Sequence, residues 1–446
     1  MSLAQRLVWL DGVFTVAILA AAVAVWAPAD GPAWLTAARV ALIGAVCLAA
    51  FYYNDLYDFE EVEHDVAELF TRLCRALALA AFVLAATYLL FPHLILGGNV
   101  ASYALIVTLV GVLALRTLVY ALAKRAPFSE AVVIMGGGTL AAEVADHIRR
   151  RPDLALRLVG VLGPEAAPAP GPRLGGYADV AEVVRRHRAE RVIVAMPDRR
   201  GSLPVRDLLA CRVRGVQVED GTQVFERFTR RLAVESLTPS ALIFGDGFRV
   251  SRTQLALKRA MSVVIASMGL VAAAPLMAVL AALIKLESRG PVFFVQTRVG
   301  LHGRPFRLVK FRTMRPLEPS DDEVWHRDNA SRVTRVGTVL RRYRLDELPQ
   351  FFNILRGDMS LVGPRPEMAT NVAALAAAIP FYNLRHEVRP GLTGWAQIKA
   401  GYSMSTQEVT RKLCYDLYYI KHLSIVFDLT IALDTVKVIL FGKGAK

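Results

Sequence analysis

The sequence predicts a chain of class membrane α plus α/β in three parts: a four-helix transmembrane anchor, an α/β domain with a parallel sheet, and a mainly helical C-terminal domain carrying one further membrane helix. Three observations carry this. Hydrophobic residues fill 54% of the 446 positions and mean hydropathy is +0.39, too apolar for an ordinary soluble protein. Four apolar stretches, 7–28, 34–53, 73–91 and 101–123, each approach the roughly 20 residues that a bilayer-crossing helix needs. Beyond residue 125 the pattern changes to short strand-like runs between helical segments, and then to a domain rich in Arg, Lys, Pro and Gly.

The four stretches place the anchor at 1–125. No small-residue cleavage site follows the first, so it is expected to stay attached. The connections 29–33 and 92–100 carry no Lys or Arg, whereas Arg6, Arg72, Arg75, Lys124 and Arg125 mark the opposite side. The positive-inside rule assigns that side to the cytoplasm, so the chain after residue 124 starts there. A net charge of +14 fits nucleic acid, anionic lipid or phosphorylated substrates. In a membrane protein it favours lipid head groups and phosphates, and no nucleic-acid partner is expected. The four cysteines, Cys47, Cys74, Cys211 and Cys414, are too scattered for a disulfide framework or a CxxC metal site and are expected to be buried thiols.

In the second part, 126–220, Ala131–Met135, Leu158–Leu162 and Arg191–Met196 read as strands with helices about 139–150 and 178–188 between them, a βαβ pattern. Pro164–Gly176 reads as a loop. The run Gly136-Gly137-Gly138-Thr139-Leu140-Ala141 is a GxGxxA variant of the dinucleotide-binding turn, which makes the domain Rossmann-like. No acidic residue closes the second strand to take a ribose hydroxyl, the nearest being Glu165. A packing or regulatory role and a nucleotide site both stay open. Residues 221–254 read as a connector.

A fifth apolar run, Met261–Ile284, opens the third part, 255–446. Its 24 residues would extend about 36 Å as a helix, enough to span. Yet Lys258 and Arg259 precede it, Lys285 and Arg289 follow it, and Pro275 removes a helix hydrogen bond near its middle. Both observations predict a broken, re-entrant helix that enters and leaves by the cytoplasmic face. The alternative, a fifth crossing with a tolerated proline, would put the rest of the chain outside. The final helical stretch, about 407–441, fits either an interfacial amphipathic helix or a core-packing one.

Charged residues in the third part gather in short segments: Gln296-x-Arg298-x-Gly300, Lys310-Phe311-Arg312-Thr313-Met314, Arg341-Arg342-x-Arg344-Leu345-Asp346-Glu347-Leu348-Pro349-Gln350, Gly357 to Pro366, and Arg389 to Trp395. Each alone is an ordinary solvated face. The adjacent Asp346 and Glu347 among arginines supply what phosphoryl transfer needs: a carboxylate to attack phosphorus or hold Mg²⁺, and cations to neutralise phosphate oxygens. The arginines oppose the rise in pKa that neighbouring carboxylates impose on each other. No histidine lies in these segments, which points to direct carboxylate attack rather than a histidine base.

Through KFRTM (310–314), RLDELPQ (344–350), GDMSLVGPRP (357–366) and RPGLTGWAQI (389–398), segment 255–446 resembles the bacterial sugar transferases, the polyisoprenyl-phosphate hexose-1-phosphate transferases. The resemblance implies a phosphoglycosyl transferase of the inner membrane with its α/β and catalytic domains in the cytoplasm. Its substrates would be a UDP-sugar and undecaprenyl phosphate, its surroundings inner-membrane lipids, its cofactor Mg²⁺ and its pathway exopolysaccharide or related glycan synthesis. Asp346 would attack the β-phosphate, release UMP and carry the sugar phosphate, while Glu347 helps to hold the metal. Arg341 and Arg365 would contact phosphate, and Lys310, Arg312 and Gln397 would line the pocket. The re-entrant helix is also implied, with Ala274 where many members have Ser before the proline. Four spans and an α/β domain precede the catalytic part in the larger members. The connector, through Phe225–Phe228 and Glu235–Phe244, resembles a subgroup found with exosortase-type exopolysaccharide loci. The sequence is equally compatible with a monomer and a homo-oligomer.

Two other classes fit parts of the sequence. A membrane-anchored nucleotide-sugar dehydratase or epimerase needs a Tyr-x-x-x-Lys pair, whose lysine lowers the tyrosine pKa. The sole match, Tyr120–Lys124, ends a membrane span ahead of the α/β domain. A polysaccharide-assembly scaffold would use the anchor and the α/β domain but has no need of Asp346 and Glu347.

Overall fold

The computed structural model describes residues 32–54, 66–94, 106–115 apart from 109, 129–248 with gaps at 152–153, 155, 165–169, 200, 238 and 246, then 251–316, 332–400 and 405–441, with a few positions between 13 and 21. Two compact units divide the chain between Val224 and Phe225.

In the first unit, α1 (Ala33–Tyr53) and α2 (Val66–Leu90) occupy the second and third predicted spans, and both are long and apolar enough to cross a membrane. Ile43, Cys47 and Phe51 of α1 share a buried cluster with Leu73, Ala76 and Ala80 of α2; small residues at such a seam let helices approach closely. The first predicted span, 7–28, and the fourth, 101–123, lie largely outside the described residues. So does the Tyr120–Lys124 pair.

The α/β domain holds β1 (Glu130–Met135), α3 (Thr139–Arg150), β2 (Leu156–Leu162), β3 (Arg173–Gly175), α4 (Val180–His187), β4 (Arg191–Val194), α5 (Val205–Val213) and β5 (Gln217–Asp220). All five strands are parallel, in the order β3-β2-β1-β4-β5, a Rossmann-like sheet. The three predicted strands are present. Strand β3, of three residues, lies within Pro164–Gly176, which the sequence reads as a loop, and β5, Gln-Val-Glu-Asp, has no apolar run to predict it. Val133, Met135, Val192 and Val194 meet Val180, Val183 and Leu208 in the core. Arg191 ties neighbouring strands together through Glu130, at 2.6 Å, and Glu219. Gly136 has φ 138°, and a Cβ there would strike the Ala195 carbonyl. Glycine is therefore required where the turns after β1 and β4 meet, at the point where strand order reverses.

The second unit contains α7 (Pro239–Phe244), α8 (Arg252–Glu287), β6 (Phe293–Val299), β7 (Pro305–Phe311), α9 (Arg335–Arg342), α10 (Gln350–Arg356), β8 (Ser360–Val362), α11 (Ala369–Ala378), β9 (Gly391–Thr393), α12 (Trp395–Lys399), α13 (Thr406–Lys421) and α14 (Ile425–Phe441). Helix α6 (Gly221–Thr229) straddles the division. Strands β6 and β7 form an antiparallel hairpin, and β8 pairs in parallel with β9. The core gathers Met359, Val362, Tyr382, Trp395, Leu417, Tyr419 and Ile431. A second cluster joins Met277, Leu280 and Ile284 of α8 to Phe311 and Leu340.

Much of the predicted connector belongs to this unit. Glu226 accepts from Lys421 at 2.7 Å, the indole N–H of Trp395 donates to the Arg230 carbonyl at 2.9 Å, and Leu232 and Val234 enter the core. Of the two expectations for 407–441, core packing holds for α13, whose Leu413, Leu417, Tyr419 and Ile420 are buried. On α14, Val426, Leu429, Leu433 and Val436 are exposed.

Helix α8 starts with a capping box, Ser251 accepting from the Gln254 N–H while Gln254 accepts from Ser251. It continues to Glu287 without interruption at Pro275. Helical backbone thus runs through Pro275, where the ring removes one donor and the turns on either side retain theirs.

Candidate active site

Local backbone geometry delivers the two carboxylates. Arg344 adopts φ 58°, ψ 18°, a left-handed conformation that ends the run from α9 and starts a 3₁₀ turn over Leu345–Glu347. Pro349 then opens α10, where its missing N–H costs nothing. Asn353 of α10 fixes that helix to the hairpin: it accepts from the Val309 N–H at 3.0 Å and donates to the Arg307 carbonyl at 2.7 Å. Because strand side chains alternate, Gln296, Arg298, Leu308 and Lys310 share one face of the hairpin.

Glu347 is buried. Arg365 Nη2 lies 2.8 Å from its Oε1, Arg344 Nη1 3.4 Å and Lys310 Nζ 3.6 Å. Burial pushes its carboxyl upward, but Arg365, Lys310 and Arg344 outweigh that effect and hold the pKa at about 2. Asp346 has the opposite environment. Its burial, and then the charge of Glu347, raise its carboxyl above the ordinary value, with Lys310, Arg344 and Arg365 opposing. Its Oδ1 is buried with no hydrogen-bond partner among the described residues. Burial also lowers the Lys310 ammonium, against the pull of Glu347.

Beside the pair, Arg298, Leu308, Lys310, Gln350, Arg365 and Pro366 line a small cleft. Four cations, Arg298, Lys310, Arg344 and Arg365, thus act on two carboxylates. The surplus positive charge suits an anion such as a diphosphate, and the buried Asp346 Oδ1 carries acceptor capacity that no protein donor among the described residues takes up.

The structure brings together Lys310, Asp346, Glu347 and Arg365 of the residues singled out from sequence. The other three make different contacts. Arg312 is buried with its guanidinium spent on the carbonyls of Arg289, at 3.0 Å, and Ser288, at 2.8 Å, just beyond the end of α8. Arg341 is exposed and donates from Nε to the Thr313 hydroxyl at 2.9 Å. Gln397 lies on α12 and donates to the Leu392 carbonyl at 3.4 Å. Arg298 and Gln350, named in the charged segments but given no role there, line the cleft; strand alternation across the hairpin, with Lys310 as reference, points to Arg298. The described residues hold no group of three His, Cys, Asp or Glu side chains able to share a metal.

Residues 253–442 match the family model described as bacterial sugar transferase, and residues 53–218 match one described as a CoA-binding domain. Among curated relatives, the UDP-N-acetylgalactosamine-undecaprenyl-phosphate N-acetylgalactosaminephosphotransferase of Aeromonas hydrophila is 42% identical over 54% of this chain and 56% of its own length. The undecaprenyl-phosphate glucose phosphotransferase of Komagataeibacter xylinus is 37% identical over 70% of this chain and 60% of its own length. The chain thus spans little more than half of these two relatives. The exopolysaccharide production protein PSS of Rhizobium leguminosarum bv. phaseoli is 39% identical over 41% of this chain and 94% of its own length. A relative matched over nearly its whole length, together with the family model over the unit that holds the carboxylate cluster, places this chain in the bacterial sugar transferase family.

Proposed function

We propose that the chain transfers a sugar 1-phosphate from a UDP-sugar to undecaprenyl phosphate. A carboxylate oxygen of Asp346 attacks the β-phosphorus, a phosphorus–oxygen bond to Asp346 forms, and the bond to the bridging oxygen breaks so that UMP leaves with that oxygen. An oxygen of undecaprenyl phosphate then attacks the same phosphorus and the Asp346 carboxylate departs, restoring the enzyme and giving the diphosphate-linked lipid. Arg298, Lys310 and Arg365 neutralise the phosphate oxygens at both steps. The observation that carries the proposal is the buried, unpartnered Oδ1 of Asp346 inside a net-positive cluster.

Asp346 and Glu347 fit a Mg²⁺ that draws most of its ligands from water and diphosphate. Of the two, Asp346 has the unpartnered oxygen, whereas Glu347, the metal ligand expected from sequence, is engaged by three cations. Bound there, Mg²⁺ would neutralise charge on the diphosphate.

We further place α8 in the cytoplasmic leaflet, bent at Pro275 so that it enters and leaves by one face, with the four-helix anchor in the inner membrane. Support comes from both helix ends being held by the same unit. Near the start, Lys258 donates to the Val362 carbonyl at 2.8 Å; at the end, Glu287 accepts from the Arg335 and Val336 N–H groups at 2.7 and 3.1 Å. Between them Val264, Met268, Val271 and Val279 stay exposed, an apolar stripe that lipid would cover.

The catalytic proposal is tested by incubating the full-length protein with a panel of radiolabelled UDP-sugars, Mg²⁺ and undecaprenyl phosphate. UMP release and lipid labelling are expected for at least one sugar and are lost in Asp346→Asn. Turnover that persists in Asp346→Asn would sink it.

A further inference from the structure

Two buried cations outside the carboxylate cluster converge on one short loop, Val362-Gly363-Pro364-Arg365, whose last side chain reaches Glu347. At its first residue, Lys258 donates to the Val362 carbonyl at 2.8 Å, to Asp428 at 2.6 Å and to the Tyr419 hydroxyl, which itself donates to Asp428 at 2.7 Å. At its last residue, Arg385 donates to the Arg365 carbonyl at 2.9 Å, to Asp416 at 2.9 Å and to the Tyr382 hydroxyl at 2.7 Å. The Lys258 and Asp428 side chains are 6% and 0% exposed, those of Arg385 and Asp416 9% and 3%. Both carboxylates come from the C-terminal helices, Asp416 from α13 and Asp428 from α14.

A buried carbonyl needs only a neutral donor. Removing a cation and a carboxylate from water to supply one costs more than an apolar pair of the same volume. This chain does it twice, at the two ends of one loop. The middle of the loop is already held by β9, through Gly363 N–H to the Thr393 carbonyl at 2.9 Å and Gly391 N–H to the Pro364 carbonyl at 3.0 Å. The charged bonds add stiffness at the ends, where an anion drawing on the Arg365 guanidinium would otherwise tug the backbone.

Taking the transfer chemistry proposed above as its premise, we propose that Asp416 and Asp428 are positioning residues that act through Arg385 and Lys258 to hold the Val362–Arg365 loop, and so keep the Arg365 guanidinium on Glu347 and over the cleft.

The test is a double-mutant cycle on UMP release by the full-length protein in detergent micelles with undecaprenyl phosphate. Asp416→Asn and Asp428→Asn, each keeping volume and an acceptor, are expected to lower kcat by roughly 100-fold, the scale of a small misplacement transmitted to a site. Combined with Arg365→Lys they are expected to add nothing to the loss caused by Arg365→Lys alone, because all act through one guanidinium. Losses that multiply would show that the pairs serve the fold alone and would overturn the inference. Should the Asn variants not fold, Tyr419→Phe and Tyr382→Phe trim each network by one hydroxyl without stranding a charge, and the same cycle is read on them. Asp346→Asn run in parallel separates the two levels. If it retains wild-type turnover, the transfer chemistry falls and the positioning role with it. If it is dead while the cycle is multiplicative, only the positioning role falls.

Discussion

Replacing Arg365 with methionine probes the electrostatics of Glu347 directly. Arg365 Nη2 lies 2.8 Å from Oε1 and Nη1 3.5 Å from Oε2, so the change removes the nearest cation and keeps most of its aliphatic stem. A carboxyl held at about 2 rather than 4.5 favours the folded state by ~3 kcal/mol at neutral pH. Three cations share that effect, and the Arg365 side chain is 34% exposed, so solvent screening reduces its own part to ~1 kcal/mol. The folded pKa is depressed. The contribution is therefore complete above pH 4.5 and lost as pH falls toward 2. Arg365→Met is expected to be less stable than wild type by ~1 kcal/mol at pH 7, with the gap closing toward pH 3. Unfolding in detergent can be followed by fluorescence of Trp395, which is fully buried against Phe427. No gap at pH 7, or an equal gap at pH 7 and pH 3, would refute the reasoning.

Asn353→Leu strands the Val309 N–H and the Arg307 carbonyl, both bound by the Asn353 amide. It should cost ~2–4 kcal/mol in denaturant unfolding and abolish UMP release by detaching α10 from the hairpin; wild-type stability would contradict the role given to Asn353. For membrane topology, Lys285→Cys in a background lacking the native cysteines should resist a membrane-impermeant thiol reagent added to intact cells and react after permeabilisation. Labelling of intact cells would exclude a cytoplasmic end for α8.

The parallel sheet was legible because β1, β2 and β4 are buried apolar runs; β3 and β5 were not, since their place comes from pairing with neighbours. The carboxylate cluster was legible as motifs, which name residue types but not directions. Arg365 and Arg312 both stand in charged segments, yet Arg365 reaches Glu347 while Arg312 turns to the carbonyls beyond α8. Only the fold of the hairpin against α8 separates them. The buried pairs Lys258–Asp428 and Arg385–Asp416 span 170 and 31 residues, and no local pattern announces a pair of that kind.

The order of the two carboxylates also has a physical basis. A 3₁₀ turn advances about 120° per residue, so consecutive side chains on the Leu345–Glu347 turn leave in different directions. Glu347 points inward, where its extra methylene carries the carboxylate to Arg365 and Lys310, and its charge is secured well below the ordinary range. That commitment leaves Asp346 with burial and a negative neighbour, which raise its pKa and with it the basicity of its oxygens. A more basic carboxylate is the better nucleophile once ionised, and the cations that favour ionisation are those that would receive the phosphate. On the proposed mechanism Glu347 would keep Lys310 and Arg365 assembled before a substrate arrives, and the two adjacent acids would divide the work because one has taken the ion pairs that the other lacks.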